Sequence, residues 1–209
     1  MRKVLPAGLY GITAEEFSRG RSNTLVVREM LAAGIRIVQY REKENKTGRE
    51  KYEECLAISK LCREAGALFI VNDHIDIALA VNADGVHIGQ DDMPLPVVRR
   101  LVGSKIIGLS THSPEQAMEA ISLGADYIGV GPIFSTHTKK NVCDAVGLSY
   151  LDWVVQNADI DFVAIGGIKE HNQGEVVAHG AKTIALVTEI VGAEDIGEMV
   201  RTLSEIIQS

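Results

Sequence analysis

The sequence predicts an α/β fold, a (β/α)8 TIM barrel formed as one domain by residues 1–209. Three observations lead there. A small-residue pair followed by a short apolar run recurs along the chain: AAGIRIVQY from Ala32, EAGALFIVND from Glu64, VNADGVHIGQ from Val81, SLGADYIGVG from Ser122 and AHGAKTIALV from Ala178. Each reads as the end of a helix, a Gly or Asn at its C-cap, then a strand. The strand runs are continuously apolar rather than alternating, as strands buried on both faces are. Their number, with helical patterns between them, fits a small parallel barrel at the lower limit of its size. The competing architecture is an open doubly wound sheet, but no GxGxxG follows the first strand.

Taken in order, the strands are expected at residues 8–13, 35–41, 68–72, 85–89, 105–110, 127–132, 162–166 and 183–187. The longest helix between them spans 47–65, where Tyr52, Cys55, Leu56, Ile58, Ser59 and Cys62 fall near helical spacing. A short helix fits 75–81. Ser113-Pro114-Glu115-Gln116 opens another, with Ser at the N-cap, Pro at the first helical position and Gln where a capping box has it. Residues 195–207 form the closing helix, giving eight helices for eight strands.

Composition excludes several functions. A net charge of -7 argues against broad binding of nucleic acid or anionic membrane, which want basic surface. No apolar run approaches the ~20 residues of a membrane span. The start, MRKVLPAGLYGIT, lacks the sustained apolar run and cleavage site of a signal peptide. Cys55, Cys62 and Cys143 are odd in number and lack metal-ligand spacing, so they read as core or helix-flank thiols in a reducing cytoplasm. A homodimer would need an apolar patch on the outer helices, and the sequence does not sort those faces.

In a barrel, function gathers at the C-terminal strand ends. The segment 69–94 places Asn72 and Asp73 after one strand, and Gln90, Asp91 and Asp92 after the next. A right-handed crossover makes those strands parallel and brings both acids to one end. Two carboxylates and an amide there suit a hard cation such as Mg2+. Taken singly, each acid reads better as a helix cap, Asp73 before one helix and Asp91 or Asp92 before Pro94. Arg41 and Lys43 alternate on an extended segment and suit a polyphosphate, or else pair with Glu42 and Glu44. The hydroxyl-rich GPIFSTHTKK of 131–140 offers Thr136, Thr138 and Lys139 to phosphate oxygens, or is an exposed polar loop with His137 facing solvent. Gly166-Gly167 after the seventh strand and Val187-Thr188 after the eighth sit where barrels build monophosphate sites from backbone N–H groups. His87, inside the fourth strand, reads as a hydrogen-bonded structural histidine, and His112 as closer to a ligand.

These segments, VQYREK (38–43), VNDHIDIALAVNADGVHIGQDDMP (71–94), IGLSTHS (107–113), GADYIGVGPIFSTHTK (124–139) and VAIGGI (163–168), resemble in order and spacing the thiamine-phosphate synthase family, also called thiamin phosphate pyrophosphorylase. The resemblance covers nearly the whole chain. It implies a Mg2+-dependent transferase. The enzyme would join 4-amino-5-hydroxymethyl-2-methylpyrimidine diphosphate to 4-methyl-5-(2-phosphoethyl)thiazole, giving thiamine phosphate and pyrophosphate by a dissociative route. By the same resemblance Asp73 and Asp92 are the Mg2+ ligands. Gln39, Arg41, Lys43, Asn72 and Lys139 surround the pyrimidine diphosphate, and Ser110 lies near the leaving pyrophosphate. Thr136, Thr138 and the backbones of Gly167, Val187 and Thr188 hold the thiazole phosphate. Three positions depart from the family: Thr188 for a common Ser, Ser135 for a common Pro, and Ala14 for a frequent acid.

Two other readings compete. A thiazole tautomerase on the same barrel would use His112 for proton transfer but would need neither an acid pair nor a diphosphate clamp. A non-catalytic phosphate-ligand binder would bind thiamine phosphate without turnover.

Overall fold

Eight parallel strands close on themselves in sequence order, and helices follow them around the outside. The computed structural model describes residues 5–42, 46–136 and 144–208. Its elements are β1 (Gly8–Ile12), α1 (Asn23–Ala32), β2 (Ile37–Tyr40), α2 (Gly48–Ala65), β3 (Leu68–Asn72), α3 (Ile75–Ala80), β4 (Gly85–Ile88), α4 (Leu95–Val102), β5 (Ile106–Thr111), α5 (Pro114–Ser122), β6 (Tyr127–Val130), α6 (Gly147–Asn157), β7 (Asp161–Ile165), α7 (Glu170–Ala178), β8 (Thr183–Ala185), α8 (Val187–Val191) and α9 (Ile196–Gln208). Closure is made by β8 against β1, with Gly8 opposite Thr183 and Tyr10 opposite Ala185.

The helix ends follow local chemistry. Thr47 and Glu50 form a reciprocal capping box at the start of α2, and Gly66 ends the helix in the left-handed region at φ 65°. At α5 the Gln116 N–H donates to Ser113 Oγ as expected, but Gln116 Oε1 accepts from the His112 N–H rather than from Ser113. On α2 the inward stripe is Cys55, Ile58, Ser59 and Cys62, while Tyr52 and Leu56 are exposed.

Alternation along each strand divides the core in two. Outward side chains pack beneath the helices in one large cluster. Inward ones form a smaller barrel interior of Tyr10, Ile12, Ile37, Ile70, Tyr127, Val163 and Ala185. Gln39 and His87, also inward by alternation with Ile37 and Gly85, are polar although buried. The interior therefore changes from apolar to polar toward the C-terminal strand ends, which is where a polar ligand can be held.

Two expectations are corrected. Val187 was placed at the end of β8, but it begins the short helix α8, so the described residues hold nine α-helices rather than eight. The largely apolar run Thr183–Thr188 has no local signal to tell strand from helix. The fifth strand, expected at 105–110, runs one residue further to Thr111, so Ser110 lies inside it rather than at its end. Among the described residues, no helix is long and apolar enough to cross a membrane.

Burial lifts the Cys55 and Cys62 thiols to about 12, so neither offers a thiolate near neutrality. Cys143 lies outside the described residues. In a Cys143→Ser variant the remaining thiols should react with an aromatic disulfide reagent about a hundredfold more slowly in the native than in the unfolded chain. A fast native reaction would place them at the surface.

Candidate active site

One cavity of about 800 Å3 opens at the C-terminal ends of the strands. Of the residues singled out in the sequence, Gln39, Arg41, Asn72, Asp73, Asp92, Ser110, Thr136, Gly167, Val187 and Thr188 all line it. So do Asp91, His87, His112 and Ser135. Lys43, His137, Thr138 and Lys139 lie outside the described residues. A smaller hollow of about 400 Å3 lies on the outside, lined by residues of α1 and α9 and the turn before α9, and contains no strand-end residue.

The acid side is built by β3 and β4. Asn72 pairs with His87 in register, and the next residue, Asp73, donates its N–H to the His87 carbonyl at 3.0 Å. Asp73 has a left-handed φ of 61°, a region Asp tolerates better than most residues. Asp92 folds back so that one carboxylate oxygen accepts from the Gly89 N–H at 2.6 Å. A Cβ at Gly89 would stand 3.0 Å from that oxygen, so the glycine makes room for the turn. The capping alternative does not hold: the N-caps of α3 and α4 are His74 and Pro94, neither with a capping side chain. Pro94 thus sits one position earlier than a first helical residue. Two acids facing a polar cavity fit a hard divalent cation that keeps water and takes further oxygens from a phosphorylated ligand. Among the described residues no three acidic, histidine or cysteine side chains gather as a closed metal cage.

Beside them stands Arg41, just past β2, the neighbour of β3. Its N–H donates to Thr13 Oγ1 at 2.9 Å, which fixes the backbone from the neighbouring strand end. Glu42 accepts from the Glu15 N–H at 2.9 Å and from Asn23 Nδ2 at 2.9 Å, and Asn23 also donates to Glu15 and Glu54 at 3.2 Å. Lys46 pairs with Glu15 and Glu54, and the Tyr40 hydroxyl donates to Glu54 at 2.6 Å. Glu42 is therefore hydrogen-bonded into the loop's anchorage and acts on Arg41 only through its charge. Burial pulls the Arg41 guanidinium down from its ordinary value, and the carboxylates of Asp73, Glu16 and Glu42 oppose that shift. Ala14 is buried at the start of this first loop and packs in the outer core.

The third side joins the loops after β6, β7 and β8. Ile133 and Phe134 donate their N–H groups to the Ile165 and Gly166 carbonyls at 3.0 and 2.9 Å. Gly166 and Gly167 have φ of 97° and 66°, and a Cβ at Gly167 would stand 2.6 Å from the Phe134 carbonyl oxygen. The pair is thus a tight turn that also lets two backbones meet. Lys169 was missed by the sequence reading. Its Nζ donates to Thr188 Oγ1 at 3.0 Å and to Glu189 Oε1 at 2.7 Å, at the wall formed by Gly167 and Val187.

The floor is a row of hydrogen bonds. Gln39 Nε2 donates to the Tyr10 hydroxyl at 3.0 Å, the Tyr10 and Tyr127 hydroxyls are 2.9 Å apart, and His87 bridges Tyr127 to Ser110 with 2.9 Å on each side. His87 is hydrogen-bonded and buried, as a structural histidine would be, yet it also lines the cavity. Tyr10 and Tyr127 were read only as strand residues, because their approach depends on non-neighbouring strands β1 and β6.

A family described as thiamine monophosphate synthase matches residues 9–190. A thiamine-phosphate synthase of Pelotomaculum thermopropionicum is 65% identical over 205 residues, covering 98% of this chain and 94% of that protein. One from Lawsonia intracellularis is 58% identical over 204 residues, covering 97% and 94%. A solved thiamine phosphate pyrophosphorylase from Pyrococcus furiosus superposes with a TM-score of 0.89 at 39% identity, covering 97% of this chain and 96% of that one. With the match spanning the whole barrel and every strand end that forms the cavity, this chain belongs to the thiamine monophosphate synthase family.

Proposed function

We propose that this enzyme joins 4-amino-5-hydroxymethyl-2-methylpyrimidine diphosphate to 4-methyl-5-(2-phosphoethyl)thiazole, forming thiamine phosphate and releasing pyrophosphate. The observation that carries the reading is the meeting, in one cavity, of an acid pair, a half-buried guanidinium and a glycine-rich double loop. The carbon–oxygen bond to the diphosphate breaks, pyrophosphate leaves with the electron pair, and the thiazole ring nitrogen captures the pyrimidine-methyl cation. That nitrogen carries no proton to lose, so the step calls for no general base. It calls for stabilisation of the leaving group.

Asp73 and Asp92 would hold Mg2+, which when bound neutralises developing charge on the pyrophosphate. Arg41, with Lys43, clamps the diphosphate, and Gln39 and Asn72 orient the pyrimidine. Ser110 donates toward the leaving group. Thr136, Thr138 and the backbones of Gly167, Val187 and Thr188 hold the thiazole phosphate. The test is pyrophosphate release from the pyrimidine diphosphate with and without thiazole phosphate and Mg2+, following thiamine phosphate in parallel. Release and product that both require Mg2+ are expected. Ligand binding without release would return the chain to a binder.

Lys139→Ala should slow single-turnover coupling by about a hundredfold while changing thiazole phosphate affinity by less than about threefold. An unchanged rate would remove Lys139 from the chemistry.

A further inference from the structure

The row Gln39, Tyr10, Tyr127, His87 and Ser110 draws its members from β2, β1, β6, β4 and β5, so it exists only in the closed barrel. Space has been cleared for it. A Cβ at Gly108 on β5 would stand 2.1 Å from Tyr127 Cζ and 2.5 Å from His87 Nδ1. A Cβ at Gly129 on β6 would stand 3.4 Å from His87 Cε1. Gly108, opposite Tyr127 in register, and Gly129, opposite Ser110, leave room for a tyrosine and a histidine to meet.

The row has a direction. An amide nitrogen carries only donors. Tyr10, accepting from Gln39 Nε2, must pass its own single proton onward, and the acceptor within reach is the Tyr127 hydroxyl at 2.9 Å. Tyr127, wholly buried, in turn donates to His87 Nδ1 at 2.9 Å. In a neutral imidazole the proton then sits on Nε2, which donates to Ser110 Oγ at 2.9 Å. The Ser110 proton is left over, and the cavity is where it can go. If the Gln39 amide turns over, every step reverses and Ser110 donates to His87 instead. Gln39 also faces the cavity, so a ring that pairs with its amide selects one of the two directions.

We propose that Tyr10, Tyr127 and His87 are positioning residues that couple the amide of Gln39 to the hydroxyl of Ser110, so that recognition of the aminopyrimidine holds Ser110 as a donor toward the leaving pyrophosphate. The inference rests on the functional reading above for its last clause only. The row transmits orientation and not charge: burial lifts the Tyr10 phenol to about 12 and the Tyr127 phenol well above its ordinary value, so both keep their protons at neutral pH.

The experiment reads the His87 tautomer in the full chain labelled with 15N-histidine, by long-range 1H–15N correlation, with His87→Gln to assign the ring. The wild type should show the Nε2–H tautomer. Tyr127→Phe and Tyr10→Phe, which interrupt the row, should show a mixture or the Nδ1–H form. A wild-type Nδ1–H tautomer, or an unchanged Nε2–H tautomer in both variants, overturns the proposal.

Kinetics supply the second arm. Tyr127→Phe should slow single-turnover pyrophosphate release by roughly tenfold and leave the KM for thiazole phosphate within about twofold. His87→Gln, which keeps an N–H for Ser110, should be about tenfold faster than His87→Met, of similar bulk with no donor. Equal rates for the two would reduce His87 to a packing residue. A wild type that forms no thiamine phosphate would instead remove the functional reading, and the tautomer result would still decide the row.

Discussion

Asp73→Asn and Asp92→Asn are each expected to lower thiamine phosphate formation by about a thousandfold, the scale of several kcal/mol of leaving-group stabilisation. Each substitution keeps the shape of the side chain and removes one negative charge. The fold should survive it. The Asp92 oxygen that accepts from the Gly89 N–H can be replaced by an amide oxygen in the same place. Asp73 makes its backbone bond to His87 through the main chain, which is unchanged. The expected loss is in affinity for a divalent cation at the β3 and β4 ends, where the proposal places it. The contacts proposed for the thiazole phosphate belong to the loops after β6, β7 and β8, so its binding should change by less than about threefold. Raising Mg2+ should recover part of the rate in either single variant. Turnover at the wild-type rate in both would show that these acids do not hold the metal, whatever their place in the cavity.

What the sequence carried was local, and what it missed was relational. The continuous apolar runs placed all eight strands within a few residues, because burial on both faces leaves its mark on consecutive positions. The strand-end rule pointed to Arg41, Asn72, Asp73 and Asp92, and the family resemblance added Gln39 and Ser110; all six line one cavity. The row through Tyr10 and Tyr127 was out of reach, since both read as apolar strand members and their contact spans 117 residues. Lys169 follows Ile168 with no motif of its own, and only the fold carries its ammonium to Thr188 and Glu189. Glu42 reads in the sequence as a partner for Arg41 or Lys43, whereas Asn23 and the Glu15 N–H take up its carboxylate. A buried amide that organises three carboxylates leaves no periodic trace.

Gly167→Ala should produce the opposite kinetic pattern to the aspartate variants. The new methyl would meet the Phe134 carbonyl carbon and oxygen at 2.7 and 2.6 Å, which are backbone atoms and cannot swing aside. The residue would also have to hold a φ of 66°, which costs an L side chain about 1–2 kcal/mol. With about 1–3 kcal/mol for the overlap, the local cost is roughly 2–5 kcal/mol. Relief comes most directly by parting the β6 and β7 loops and losing the bond from the Phe134 N–H to the Gly166 carbonyl. That moves Thr136 and the Gly167 N–H away from one another, so affinity for thiazole phosphate should fall by at least about tenfold. The acid pair and Arg41 lie across the cavity, so the Mg2+ dependence of the residual activity should be unchanged. Gly174→Ala is the control: on α7 its added Cβ meets only Ile206, at 3.9 Å, and should raise stability by about 0.5–1 kcal/mol. Thermal unfolding with a binding titration separates the cases. If Gly167→Ala binds thiazole phosphate as the wild type does, the double glycine is a turn alone and the phosphate is held elsewhere.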